Sequence, residues 1–206
     1  MNDQIRFHEI TGLKDGLLLP WLDLYETAFP PNEKVLVSHF LSLLKTKEAG
    51  QGKDEQMLAA VDSSRSLLGL ACCQRMPQTG LAVLWYLAVH PGARNHGLGG
   101  QFYDHIVSLV DKPPCHALLL EVEIPELGKT AEQIGLAKRR INFYRRHGAY
   151  LLQGVDYLQT IGWHQPPTPM YIMVHPFQPL DVTACFELAK AYAGDALTQS
   201  GRLALV

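Results

Sequence analysis

Three short stretches of the chain carry residue types that could do chemistry. Arg94-Asn95-His96-Gly97-Leu98-Gly99-Gly100 follows a proline turn and opens a helix-like pattern. Glycines there permit close backbone approach and positive φ. A new helix adds unpaired N–H groups and the positive end of a dipole. Together these favour a phosphate or pyrophosphate. In the second stretch, Glu121 and Glu123 stand two apart in an otherwise apolar run and so share one face of a strand. A carboxylate in that position is costly unless it is solvated or used. The third, Asn142 to Tyr150, sets Phe143 and Tyr144 ahead of Arg145, Arg146 and Gly148. Taken alone, the glycine turn could be a tight strand-to-helix connection that binds nothing. The glutamates could equally be structural partners of Arg139, Arg140 or Arg145.

The elements that must position these stretches follow from periodicity. Ile5 to Ile10 alternates as a strand. Leu18, Trp21, Leu22, Tyr25 and Phe29 fall at helical spacing before Pro30-Pro31, and Val35 to Leu44 predicts a second helix. Met57 to Val61, Leu67 to Met76 and the continuous apolar run Leu81 to Val89 predict three strands. A helix then buries Leu98, Phe102, Ile106 and Leu109 and stops at Pro113-Pro114. Ala117 to Glu123 is a strand. Thr130-x-x-Gln133 has the form of a capping box, opening a helix that Gly148 closes. Ala149 to Val155 and Met170 to Val174 complete the strands. The order predicts an α/β fold with a central mixed sheet flanked by helices. Asp181 to Leu197 reads as one extra amphipathic helix, with only GRLALV after it. This divides the chain into a domain at 1–177 and a C-terminal helical extension at 178–206, which packs on the same domain or serves as a homodimer contact.

Composition excludes several classes. The 206 residues are 47% hydrophobic and 18% charged with a formal net charge of −2, so the chain is globular and has no basic field for nucleic acid. The four cysteines lack C-x-x-C spacing and the nine histidines lack H-E-x-x-H, so no metal site is expected. No apolar run approaches the roughly 20 residues that span a bilayer, and the first ten residues lack the form of a signal peptide. A cytoplasmic protein with no membrane partner is expected. The turn fails the dinucleotide fingerprint, because Phe102 occupies its third glycine position, and no lysine follows to make a nucleotide-binding P-loop.

Leu87-Ala88-Val89-His90-Pro91-Gly92-Ala93-Arg94-Asn95-His96-Gly97-Leu98-Gly99 resembles the acetyl-CoA signature of the GNAT family of N-acetyltransferases, and the order of elements matches over about residues 5 to 177. The resemblance implies a GNAT-like acyl-CoA N-acyltransferase fold with acetyl-CoA as cosubstrate. Backbone groups of Arg94, Asn95, His96, Gly97, Leu98, Gly99 and Gly100 would cradle the pyrophosphate. Leu87, Ala88 and Val89 would offer main-chain groups from a bulged strand, one N–H polarising the thioester carbonyl. Asn142 to Tyr150 resembles the family's second motif, which makes Tyr144 the acid for the leaving thiolate and a coenzyme contact. The match is incomplete, with Ala137 where the family often has Asn and Gly148-Ala149 in place of Gly-Phe. Glu121 falls on the family's strand glutamate, a base acting through water, with Glu123 as a second base or an orienting group. The need is physical: a primary amine near pKa 10.4 holds its proton at neutral pH by roughly 4 to 5 kcal/mol.

The same resemblance places the acceptor, a small-molecule or peptide amine, near 21–34 and 157–170. Phe29, Tyr157 and Trp163 are the candidate contacts, although the aromatic set that includes Phe29 also fits a core at helical spacing. Glu121, Glu123 and Glu126 would favour a cationic amine. A non-catalytic acyl-CoA-binding or sensor module is the alternative function.

Overall fold

The computed structural model describes residues 5–52, 54–161 and 166–206. Eight strands form one sheet: β1 (Arg6–Ile10), β2 (Glu55–Val61), β3 (Leu67–Met76), β4 (Leu81–Val89), β5 (Ala117–Glu123), β6 (Tyr150–Gln159), β7 (Thr168–Pro176) and β8 (Leu197–Leu205). Their spatial order is β1-β2-β3-β4-β5-β7-β6-β8. The helices are α1 (Leu18–Ala28), α2 (Val37–Glu48), α3 (Leu98–Val110), α4 (Ala131–Arg146) and α5 (Val182–Ala193). The expected mixed α/β architecture is therefore present. The chain forms two compact units, Met1–Gln74 with Leu84–Leu109, and Arg75–Val83 with Val110–Val206.

In the first unit, β1, β2 and β3 pair antiparallel. One face carries Met57, Ala59, Val61, Leu70 and Cys72, and α1 and α2 cover it with Trp21, Tyr25, Phe40 and Leu44. Trp21 is fully buried and donates its indole N–H to the Leu58 carbonyl at 2.9 Å, so a large polar-tipped ring can sit in the core without an unpaired donor. The opposite face takes α3, because Gly69 leaves room for the Phe102 ring. Phe102 also stacks on Phe7 of β1 with ring centroids 5.1 Å apart.

In the second unit, β7 lies between β5 and β6, antiparallel to both. Leu119, Ile172, Val174 and Leu152 pack with Cys185 and Ala189 of α5. Thr130 caps α4 by accepting from the Gln133 N–H, and the Gln133 amide oxygen accepts from Lys129 N–H, one residue earlier than an ideal capping box would use. Gly148 closes the helix at φ +91°.

The C-terminal segment departs from the expected single helix. Gly194, at φ +56°, ends α5 at Ala193. A 3-10 turn follows, and Leu197 to Leu205 forms β8 antiparallel to β6. Apolar periodicity carried the expected helix on to Leu197. That residue is buried, but as the first position of a strand. Most of the segment after it is polar and exposed, and it is a strand because the edge of β6 supplies its hydrogen-bond partners. The register slips between Gln153 and Val155, where Gly154 adopts φ +80° and a Cβ would lie 2.4 Å from the Arg202 carbonyl oxygen. Gly154→Ala should cost more than about 1 kcal/mol of stability, since both conformation and space oppose it. Amide exchange should quicken across Leu197–Leu205, whereas unchanged exchange there would show that β8 does not depend on this close approach.

Candidate functional site

The glycine turn lies wholly in the first unit. β4 is buried from Leu81 to Leu84 and only half-buried from Leu87 to Val89, so its end offers main chain. His90 starts a 3-10 turn over Pro91–Ala93 and accepts from the Gly92 N–H through Nδ1 at 3.2 Å. Arg94 folds its side chain back, donating Nε–H to the Val89 carbonyl at 3.1 Å. Asn95 and Gly97 take left-handed backbone at φ +66° and +77°, conformations that Asn tolerates and Gly adopts freely. Residues 94–97 are exposed, while Leu98 is buried and anchors the start of α3. Gln101 N–H bonds to the Gly97 carbonyl, so the N–H groups of Leu98, Gly99 and Gly100 stand in the first turn, without acceptors inside the helix. An exposed turn thus leads into a set of backbone donors of the kind that suits an anion. Arg94 contributes by closing the loop on β4, and His96 lies exposed in it.

The carboxylates and the tyrosines lie in the second unit. Glu121 and Glu123 are both half-buried, with buried Val122 between them. Glu121 Oε1 accepts from the hydroxyls of Tyr157 and Tyr192, and Oε2 accepts from the Gln159 amide. Glu123 pairs with Arg140 of α4, as the ion-pair reading of the sequence expects. Glu126 accepts from the Tyr171 hydroxyl. Tyr144 is buried on α4, one turn beyond Arg140. Burial pushes its phenol from 10.0 up to about 12, with Arg140 opposing and Glu123 adding to the rise. The hydroxyl is thus a proton-bearing donor throughout the neutral range. Burial and the Glu121 charge push Tyr157 and Tyr192 up as well.

The aromatic candidates divide. Phe29 is half-buried and packs on the rings of Tyr25 and Tyr86, at the edge of the first core. Tyr157 is 6% exposed and spends its hydroxyl on Glu121. Trp163 lies outside the described residues. All four cysteines are buried thiols, and burial lifts Cys73 to about 12, which removes thiolate chemistry from it. Among the described residues, no cluster of three or more His, Cys, Asp or Glu could hold a metal ion. No helix among them is long and apolar enough to cross a membrane. Sequence reading missed Gln159 and Tyr192. Gln159 shares a strand face with Tyr157, and Tyr192 follows Ala189 on the apolar side of α5, but no local signal connects either one to β5.

The Tyr144 shift has a testable sign. The folded protein holds the phenolic proton more tightly than the unfolded chain. The contribution is therefore fully present below pH 10 and is lost as pH rises toward about 12. Tyr144→Phe should make the fall in denaturation midpoint between those pH values shallower. An identical slope in the variant would show that Tyr144 ionises as freely in the folded protein as outside it.

Comparison with known proteins bears on the family and the fold. A model of the acetyltransferase (GNAT) family matches residues 19–149, which is more than half of the chain. No curated protein matches. Among solved structures, a GNAT-family protein from Bacteroides thetaiotaomicron is 25% identical, with 93% of this chain and 98% of that chain covered and a TM-score of 0.70. A phosphinothricin acetyltransferase from Sinorhizobium meliloti, solved with AcCoA, is 17% identical over 85% of this chain and 89% of its own, TM-score 0.57. Spermidine N-acetyltransferase from Vibrio cholerae, solved with CoA and spermine, is 12% identical over 83% and 94%, TM-score 0.58. The last two likenesses are of fold alone. The family match covers the strand, the glycine turn and the tyrosine helix together, and on that ground the chain belongs to the GNAT acetyltransferase family and is an acyltransferase.

Proposed function

We propose that this protein moves an acetyl group from acetyl-CoA to a cationic amine by direct attack. The observation that carries the reading is the exposed turn at 94–97, with two left-handed residues, delivering the chain into the N-terminus of α3. Its backbone donors suit a pyrophosphate, and acetyl-CoA would supply the acetyl thioester. Arg94 to Gly100 would hold the pyrophosphate, and Leu87, Ala88 and Val89 would offer main-chain groups at the end of β4.

Tyr144 is the donor to the departing sulfur. An ordinary thiol ionises near 8.5, and burial holds this phenol well above that range, so complete proton transfer is uphill. The hydroxyl therefore acts chiefly by hydrogen bonding to the developing negative charge on sulfur.

Glu121 is the better placed of the two carboxylates to meet the amine. Three of about four lone-pair sites are occupied, which leaves one for a further donor. The Gln159 amide oxygen beside it is buried with no hydrogen-bond partner among the described residues. Two neighbouring acceptors favour a donor-rich ammonium, whose proton Glu121 would accept through water before attack. Glu123, its charge offset by Arg140, orients rather than deprotonates. Phe29 and Trp163 are the proposed acceptor contacts.

Calorimetric titration with acetyl-CoA should give saturable binding. Gly97→Glu should abolish it, because the substitution puts a residue with a Cβ at left-handed backbone, φ +77°, and adds negative charge. Binding that survives in the variant would detach the turn from the coenzyme. Tyr144→Phe should leave that binding nearly intact and lower turnover by about 10²-fold. Unchanged turnover would remove Tyr144 from the chemistry, and tight coenzyme binding with no turnover on any amine would favour the sensor alternative.

A further inference from the structure

The grip on Glu121 comes from two other elements of the second unit. Tyr157 and Gln159 stand two apart on β6 and share a face. Tyr192 lies three residues past buried Ala189 and seven past buried Cys185, on the side that α5 turns inward. Its hydroxyl reaches Glu121 Oε1 at 2.9 Å, beside that of Tyr157, while Gln159 holds Oε2. Two donors on one oxygen and one on the other fix both the rotation and the position of the carboxylate. The remaining lone pair then has one direction.

α5 is itself held in place. Asp181 caps it by accepting from the Ala184 N–H at 2.8 Å. Lys190 Nζ donates to the Leu197 carbonyl at 2.7 Å, and β8 continues into its pairing with β6. The family match stops at residue 149, so Tyr157, Gln159 and Tyr192 all lie beyond it.

We propose that Tyr192 is a positioning residue for Glu121, so that the C-terminal helix, outside the matched segment, completes the acceptor side of the acetyl-transfer site. The proposal rests on the acetyl-transfer reading above. Tyr192 touches neither substrate; it aims the carboxylate that does. Tyr157 acts in the same way from β6, which gives it a part in acceptor recognition through Glu121 rather than by direct contact.

The test is steady-state transfer from acetyl-CoA to a series of primary alkylamines and 1,4-diaminobutane. Wild type, Tyr192→Phe, Glu121→Gln and the double variant are compared. Tyr192→Phe should lower kcat/KM for the amine about tenfold, as expected for one lost hydrogen bond to a charged group. The KM for acetyl-CoA should not move. In the Glu121→Gln background, Tyr192→Phe should cause no further loss, because its effect runs through that carboxylate. Tyr157→Phe provides a second, independent removal of a donor, and thermal midpoints and acetyl-CoA affinity report whether each variant is folded. An active wild type with kinetically identical Tyr192→Phe and Tyr157→Phe would overturn the proposal and leave the acetyl-transfer reading standing. So would losses that multiply with that of Glu121→Gln, the mark of a merely structural role. A wild type that binds acetyl-CoA and acetylates none of these amines would overturn the reading and the proposal together.

Discussion

A carboxylate at the end of an apolar strand has to be satisfied, and much of the second unit is arranged around that requirement. β5 is buried from Ala117 to Leu120, then presents Glu121 half-buried. Left without donors, such a group would cost several kcal/mol or give up its charge. Tyr157, Gln159 and Tyr192 converge on it instead, drawn from a neighbouring region of the sheet and from a helix that the chain reaches only 71 residues later. All three are donors, so each occupies a lone pair of the carboxylate. Because they come from separate elements, they also tie β5, β6 and α5 to one another. Through the Tyr192 contact the C-terminal segment is joined to β5 and is not an appendage.

The first unit solves a different problem, that of exposing backbone donors without unfolding the turn that bears them. Positive φ at Asn95 and Gly97 bends the chain sharply, and the Arg94 side chain and the His90 ring each bond to backbone nearby. Beneath the turn, Leu98 and Phe102 are buried, and Phe102 occupies the space that Gly69 leaves open. The Tyr86 hydroxyl accepts from the Val35 N–H and donates to the Glu33 carbonyl, fastening the link between α1 and α2 to β4. Rigid support below and exposed donors above are what anion recognition by backbone needs.

The two carboxylates show how local equivalence breaks down in a folded protein. They have the same residue type, lie two apart on one strand and are both half-buried, yet they have different company. Glu123 meets a guanidinium, which offsets its charge. Glu121 meets neutral donors, which fix its direction. Tyr144 and Tyr157 diverge in the same manner. One is a buried phenol on α4 held at about 12, and the other is engaged with Glu121.

The sequence by itself determined the parts of this protein that depend on neighbours in the chain. Apolar periodicity marked seven strands and the helices that cover them. The glycine spacing after β4 marked the exposed turn that opens α3, and Thr130 with Gly148 marked the two ends of α4. All of these are local physics: period, capping and allowed backbone. Only the tertiary structure decided what depends on distant partners. β8 is a strand because β6 has a free edge to offer, and nothing in Leu197 to Leu205 announces this beyond the buried leucine at its start. Trp21 and Tyr25 of α1 are core because Phe40 and Tyr86 close around them. Tyr192 and Gln159 meet because folding placed them on the same carboxylate, a meeting that side-chain reach and burial settle and sequence spacing cannot express.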